Sequence, residues 1–110
     1  MITDGVVAFV KRECPTCVLV ESQMQHLART LPRFSVVSQD DPRFPAGVED
    51  VVDDRELEHS WRNAIEATPT LIRFAGGRET ERVAGWDRDG WRRLTGIRDL
   101  GADLPAFRPG

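Results

Sequence analysis

The chain has 110 residues, of which 40% are hydrophobic and 30% are charged, and its formal net charge is −3. This size and balance predict a single soluble domain over residues 1–110, because one core fits this length and a second does not. Both signs of charge are interspersed and no apolar run is long enough to cross a bilayer, so we expect no nucleic-acid partner and no membrane partner.

The first third of the chain predicts a strand, a helix and a second strand. Residues 6–10 form a strand-like apolar run, residues 15–31 have helical spacing up to Pro32, and residues 34–37 have strand character. A strand, a helix and a strand with a short return indicate two parallel strands joined by a right-handed crossover.

A C-x-x-C motif lies where the first strand meets the helix, and it consists of Cys14, Pro15, Thr16 and Cys17. The unpaired N–H groups and the positive dipole of a helix start favour a thiolate at Cys14, and the cations Lys11 and Arg12 act in the same direction. Pro15 suits a first helical turn, where its missing N–H has no cost. The motif therefore predicts reversible thiol–disulfide exchange.

The two thiols are expected to differ. Cys17 starts an apolar stripe at helical spacing that must face the core, and the stripe continues through Val20, Met24, Leu27 and Leu31. Cys14 lies one turn earlier, at the exposed end of the helix. We therefore expect Cys14 to attack a substrate disulfide and Cys17 to resolve the mixed disulfide that forms.

Metal binding and a static disulfide are the alternatives for this pair. A zinc site usually needs four ligands, whereas the chain has no third cysteine and only His26 and His59, and His26 lies on the opposite side of the helix from Cys17. Static disulfides are rare in the cytoplasm, where a chain without a signal peptide is expected to stay. An iron–sulfur cluster or metal shared between two chains, and a redox-inert adaptor, stay open as other functions.

The middle of the chain predicts a loop followed by a helix. Residues 39–53 carry two prolines, a glycine and several carboxylates, which indicates an inserted loop. Asp54 is suited to cap a helix that ends near Glu66 and has apolar residues at four-residue spacing, namely Leu57, Trp61 and Ile65.

The last third predicts a hairpin and a final helix. Residues 70–74 and 79–84 flank two glycines that can supply positive φ, and Asp87 can cap a helix that carries Trp91 and Leu94. The order is then β-α-β-α-β-β-α, an α/β fold with a four-stranded mixed sheet and helices on both faces.

The core is expected over about residues 5–96, with an irregular tail at 97–110. The three tryptophans, Trp61, Trp86 and Trp91, are expected to pack in the interior. Of these, Trp86 is the best candidate for a contact with substrate, because it adjoins the loop next to the last strand.

This element order, the C-x-x-C motif and the later Ala-Thr-Pro-Thr-Leu run at 67–71 together resemble the thioredoxin fold family over residues 6–94. The resemblance implies that a cis peptide bond precedes Pro69 and that this proline lies beside the cysteine pair. It also implies that the backbone of Thr68 aligns an extended substrate segment, and that Gly85 lines the same groove.

Individual sequence features resemble different subfamilies of this fold family. Lys11 and the Cys-Pro-x-Cys pattern are similar to glutaredoxins, and residues 85–88 are similar to glutaredoxin-like electron donors of ribonucleotide reductase, whereas residues 68–77 are similar to thioredoxins. Thioredoxins have a buried aspartate at the position of Ala8 and a tryptophan at that of Glu13. Cys17 must therefore lose its proton to water or to another group, and the negative charge of Glu13 opposes ionisation of Cys14.

The resemblance implies a dithiol–disulfide oxidoreductase that needs no bound cofactor, and we expect it to be a monomer in the cytoplasm. Its substrate is a disulfide-bearing protein or a small thiol compound, and its electrons come from a reductase or a low-molecular-weight thiol. If that thiol is glutathione-like, Lys11 and the groove over residues 69–87 would hold it. The expected catalytic residues are Cys14 and Cys17, and the expected substrate contacts are Lys11, Pro15, Thr16, Thr68, Pro69, Gly85 and Trp86.

Overall fold

The computed structural model describes residues 4–110. Its strands are β1 (Gly5–Val10), β2 (Phe34–Ser38), β3 (Val52–Asp53), β4 (Thr70–Ala75), β5 (Arg78–Ala84), β6 (Trp86–Asp87) and β7 (Phe107–Arg108). Its helices are α1 (Pro15–Leu19), α2 (Glu21–Thr30), α3 (Glu58–Arg62) and α4 (Arg88–Thr95). Over this range none of the helices has the length and apolar character that crossing a bilayer requires.

The main sheet has the order β3-β2-β1-β4-β5, with β1 at its centre. β1 pairs in parallel with β2 and antiparallel with β4, and the β4–β5 hairpin turns at Gly76 and Gly77, both with positive φ. The parallel pairing of β1 with β2 and the hairpin predicted from the sequence are therefore confirmed, and so is the mixed α/β fold class.

Both faces of β1 are buried, since alternate side chains of a strand point to opposite sides of the sheet. Val6, Ala8 and Val10 belong to the larger core cluster, which also holds Cys17 and apolar residues of α2 and α4. Val7 and Phe9 belong to a second cluster on the other face. The helix that starts at the C-x-x-C motif is thus anchored against the centre of the sheet.

The sheet has five strands rather than the four expected, because the end of the 39–53 loop forms β3. Val52 pairs with Val37 and Asp53 with Ser38, both in parallel. The backbone groups along the outer edge of β2 would otherwise lack partners, and the returning loop supplies them.

The helix expected over 15–31 is divided at Val20, whose φ of −94° and ψ of 7° are not helical. The Val20 carbonyl accepts hydrogen bonds from the N–H groups of both Gln23 and Met24, so a tight turn replaces the regular ladder at this point. The apolar stripe survives the break, since Cys17, Val20, Met24 and Leu27 are all fully buried.

The helix expected to run from Asp54 to near Glu66 is much shorter. α3 has five residues, and the left-handed backbone of Leu57, with φ of 59°, precedes it. Asp54 is buried and still supports the first turn, because its carboxylate accepts from the N–H groups of His59 and Ser60 and from the Ser60 hydroxyl. The N-cap position predicted for Asp54 was wrong, but its carboxylate does bind the first-turn donors.

The tryptophans differ in their surroundings. Trp86 and Trp91 are fully buried and meet edge to face with ring centroids 4.9 Å apart, as expected for core residues. Trp61 is 84% exposed, so its expected packing was wrong. The short α3 turns its ring outward instead of toward the sheet.

The tail at 97–110 is not wholly irregular. Leu100 is buried, Gly101 packs against the ring of Trp86, and Phe107–Arg108 forms β7, which pairs antiparallel with β6. The apolar side chain of Leu100 and the hydrogen bond from the Trp86 indole N–H to the Pro105 carbonyl hold this segment against the domain.

Candidate active site

Cys14 is half-buried and forms the N-cap of α1, with Pro15 in the first helical turn as the sequence predicts. Its Sγ accepts a hydrogen bond from the N–H of Cys17 at 3.3 Å. The thiol donates to the backbone carbonyl of Thr68 at 3.2 Å. The first cysteine of the motif is therefore placed between a helix start and the Thr68 backbone.

Cys17 lies one turn further along and is fully buried in the larger core cluster. The backbone N–H of Lys11 lies 3.4 Å from its Sγ and donates to it. Both cysteines are free thiols. The expected contrast between an accessible Cys14 and an inward-facing Cys17 is confirmed.

The two thiols differ in acidity as well. Burial raises the pKa of Cys14, but the hydrogen bonds that it makes with Cys17 and its neighbours outweigh burial, and the pKa lies below the usual value for a thiol. Burial raises the pKa of Cys17 to about 12. Hydrogen bonds, and not the charges of Lys11 and Arg12, lower the pKa of Cys14, and Arg12 is paired with Asp41 at 3.7 Å.

The turn before β4 completes the site. The peptide bond between Thr68 and Pro69 is cis, and the Pro69 carbonyl accepts from the Gly85 N–H at 2.7 Å. Gly85 has a φ of 74°, which favours glycine. Thr68, Pro69 and Gly85 therefore lie together on the side of Cys14 where the resemblance puts the substrate groove.

The 39–53 loop touches the motif, which the sequence alone did not indicate. The Asp40 carboxylate accepts from the backbone N–H groups of Arg12 and Glu13 at 2.8 and 3.0 Å. Asp40 follows β2 and the motif follows β1, and parallel neighbours end at the same edge of a sheet. This loop therefore fixes the backbone that leads into Cys14.

Two surface grooves flank the motif. The first, of about 830 Å³, lies between the motif and the loop and is lined by Pro15, Val18, Arg43 and Phe44 among others. The second, of about 440 Å³, is lined on one side by Lys11 and Thr68 and on the other by Leu57 and Trp61. We call the second one the Lys11 groove. Trp61 is thus a wall of the site that the sequence assigned to the core.

Thr16 faces neither groove. Its side chain is buried and its hydroxyl donates to the carbonyl of Pro109 at 2.7 Å. The side chain of Trp86 is also buried, and its indole N–H donates to the Pro105 carbonyl, so its ring lines neither groove.

Within residues 4–110 no group of three His, Cys, Asp or Glu side chains lies close enough together to hold a metal ion. The donor set at the motif is limited to the two thiols of Cys14 and Cys17. Thiol chemistry is therefore the reaction that the side chains at this position can support directly.

No family model and no curated protein matches the sequence. Solved structures that do match include the thioredoxin Mala s 13 of Malassezia sympodialis, with a TM-score of 0.59 and 16% identity, and thioredoxin O2 of Arabidopsis thaliana in its oxidised state, with a TM-score of 0.57 and 19% identity. Each alignment covers 83% of this chain and 70% of the other. The chain therefore has the thioredoxin-like fold.

Proposed function

We propose that this protein is a dithiol–disulfide oxidoreductase, with Cys14 as the nucleophile and Cys17 as the resolving thiol. The observation that carries the proposal is the asymmetry of the pair. Cys14 is accessible and its pKa is lowered, whereas Cys17 is buried and its pKa is raised to about 12. A thiolate attacks disulfides and a thiol does not, so Cys14, which ionises at lower pH than Cys17, is the first of the two to react.

In the proposed cycle the Cys14 thiolate attacks one sulfur of a substrate disulfide. A mixed disulfide forms, and the second substrate sulfur leaves as a thiolate and takes up a proton. Cys17 then loses its proton and attacks Cys14 Sγ, which releases the first substrate sulfur as a thiol and leaves a Cys14–Cys17 disulfide. The substrate gains two electrons and two protons. The protein loses two electrons and the Cys17 proton, and the solvent supplies the second proton, which replaces the one that Cys14 released when it ionised.

The Thr68 backbone is suited to align the substrate. Its carbonyl lies 3.2 Å from Cys14 Sγ, so a chain that pairs with Thr68 in an extended conformation brings its own sulfur to the nucleophile. Lys11 and Trp61 line the adjoining groove and would contact flanking residues. Pro15 would limit the bulk that fits beside the motif, whereas Gly85, which has no side chain, would leave room for the substrate backbone.

The proposal extends to the setting of the reaction. We expect a monomer that works in the cytoplasm on protein or small-molecule disulfides and needs no bound cofactor. A reductase or a low-molecular-weight thiol would return the Cys14–Cys17 disulfide to the dithiol. A low-molecular-weight thiol with carboxylates would be held by the ammonium group of Lys11.

Two serine variants test the assignment, and each is the control for the other because each keeps one thiol. With insulin and dithiothreitol, Cys14→Ser should lose disulfide reduction entirely. Cys17→Ser should form a stable mixed disulfide through Cys14, visible as a mass increase that dithiothreitol reverses. Reduction of insulin by Cys14→Ser at the parental rate would contradict the proposal. So would a stable mixed disulfide that forms through Cys17 in Cys14→Ser.

A further inference from the structure

We propose that the segment Phe107–Gly110 occupies the substrate groove, which we define by Thr68, Pro69 and Gly85, as an intramolecular peptide, so that a protein disulfide has to displace it before reaching Cys14. This inference rests on the proposed function, because it concerns access to the same thiol. Three independent contacts place the segment there.

The first contact is strand pairing next to Gly85, the glycine expected to line the groove. β7 runs antiparallel to β6, with Arg108 opposite Trp86 and Phe107 opposite Asp87. Gly85 directly precedes β6, and a Cβ added to it would lie 3.2 Å from the Arg108 carbonyl oxygen. The segment is therefore extended and packs on the backbone that lines the groove.

The second contact is made by the motif itself. The Thr16 hydroxyl, which lies between the two cysteines in sequence, donates to the Pro109 carbonyl at 2.7 Å. Thr16 is only 3% exposed, so this hydrogen bond is sheltered from water. A side chain of the C-x-x-C motif thus binds the backbone of the segment.

The third contact is with the turn that would align substrate. Gly110 lies so close to Thr68 that an added Cβ would be 2.2 Å from the Thr68 carbonyl oxygen and 2.9 Å from its carbon. The thiol of Cys14 donates to that same oxygen. The segment therefore reaches the carbonyl beside the nucleophile, where the backbone of a substrate is expected.

These contacts also describe an external peptide that could replace the segment. Such a peptide would be extended, would offer a carbonyl to Thr16, and would carry glycine where its backbone meets Thr68. Phe107 is 60% exposed and β7 has only two residues, so little apolar surface holds the segment down. A tethered segment nevertheless competes at an effective concentration on the order of millimolar, so weak peptides are excluded.

The test compares access to Cys14 in four reduced proteins: the parent, a variant that lacks residues 107–110, Gly110→Val and Ala102→Val. Gly110→Val forces the segment off Thr68 with a minimal change, because its Cβ has no room. Ala102→Val is the matched control, since it adds bulk at an exposed position of the same tail. Labelling rates are measured with iodoacetamide and with a polyethylene-glycol maleimide.

We expect the deletion and Gly110→Val to speed labelling by the bulky maleimide by about three- to ten-fold. The bulky reagent reacts only with molecules whose groove is open, and both changes raise that fraction. Iodoacetamide is small and should label all four proteins at similar rates. A synthetic peptide with the sequence of residues 104–110 should slow maleimide labelling of the deletion variant. If the deletion variant does not fold, as circular dichroism would show, Gly110→Val decides the outcome.

Equal maleimide rates in the parent and Gly110→Val would overturn the inference. Labelling needs no turnover, so this result is separate from the proposed function. If none of the proteins reduces insulin while the labelling rates differ as expected, the oxidoreductase assignment fails and the covering segment stands. If insulin is reduced while the labelling rates are equal, the oxidoreductase assignment stands and the covering segment fails.

Discussion

The thiol of Cys14 donates a hydrogen bond to the carbonyl of Thr68 across a separation of 54 residues, with 3.2 Å between sulfur and oxygen. The contact follows from the pairing of two strands. Cys14 lies just beyond the end of β1 and Thr68 just before the start of β4, and the antiparallel register puts Phe9 opposite Thr70. The sheet thus brings the nucleophile to the backbone that is suited to align a disulfide with it.

The acidity of the two thiols predicts a pH profile. Labelling by iodoacetamide follows the thiolate fraction, so the rate at Cys14 should rise with pH and reach half its maximum at a lower pH than for an unperturbed cysteine. The hydrogen bonds with Cys17 are the reason, since they favour the charged form. Cys17 should react only in strongly alkaline solution, because burial raises its pKa to about 12.

Mass spectrometry of the labelled protein at each pH measures this profile and separates the two sites. The Cys17→Ala variant is the control, because it retains Cys14 and removes the second titration. A half-maximal pH at or above that of free cysteine would contradict the role of Cys14 as nucleophile, and so would early labelling of Cys17.

Much of the architecture was predictable because it depends on local patterns. The apolar stripe after Cys17 identifies the buried helix face, Pro15 identifies the helix start, and the carboxylate of Asp87 caps α4 by accepting from Gly90 N–H. Each of these features is encoded within a few residues. The contrast between the two thiols follows from the same stripe.

The features that the sequence did not indicate depend on contacts between distant segments. Thr16 and Pro109 are 93 positions apart, and nothing near either residue indicates the hydrogen bond between them. β3 forms only because the edge of β2 is available to it. Trp61 is similar: its spacing fits an amphipathic helix, but α3 is too short to bring its ring to the sheet.

Substitution of Asp54 is expected to cause a large loss of stability. Its buried carboxylate accepts three hydrogen bonds from His59 and Ser60, and Asp54→Ala would leave their donors without a partner. We expect the free energy of unfolding to fall by about 2–4 kcal/mol, as for buried hydrogen bonds to a charged group. Urea denaturation followed by circular dichroism measures the change.

The neighbouring residue offers a control of the same chemical type. Asp53 is exposed and pairs with Arg55 at the surface, so Asp53→Ala should change the free energy of unfolding by less than about 1 kcal/mol. Similar losses in the two variants would show that the Asp54 hydrogen bonds do not stabilise the 54–60 turn.

Substitution of Trp91 is predicted to lower stability, whereas substitution of Trp61 is predicted to affect substrate binding. Trp91→Ala removes a fully buried ring and should cost about 3–5 kcal/mol of unfolding free energy, whereas Trp61→Ala should stay within about 0.5 kcal/mol. Trp61 lines the Lys11 groove, so its substitution should raise the KM for a protein disulfide while iodoacetamide labels Cys14 as before. An unchanged KM would remove Trp61 from the proposed substrate surface.

A carboxylate in place of Ala8 is expected to change how Cys17 loses its proton. Ala8 is fully buried in the same cluster as Cys17, and thioredoxins have an aspartate at the matching position. In Ala8→Asp the buried carboxyl should cost several kcal/mol of stability, because it lacks a charge partner there. The same carboxylate can accept the Cys17 proton, so it should speed release of the mixed disulfide at neutral pH. Ala8→Asn has the same size and no proton acceptor, and it should lose stability without gaining rate. Stopped-flow measurement of product release compares the two, and equal rates would mean that proton loss from Cys17 does not limit the second exchange.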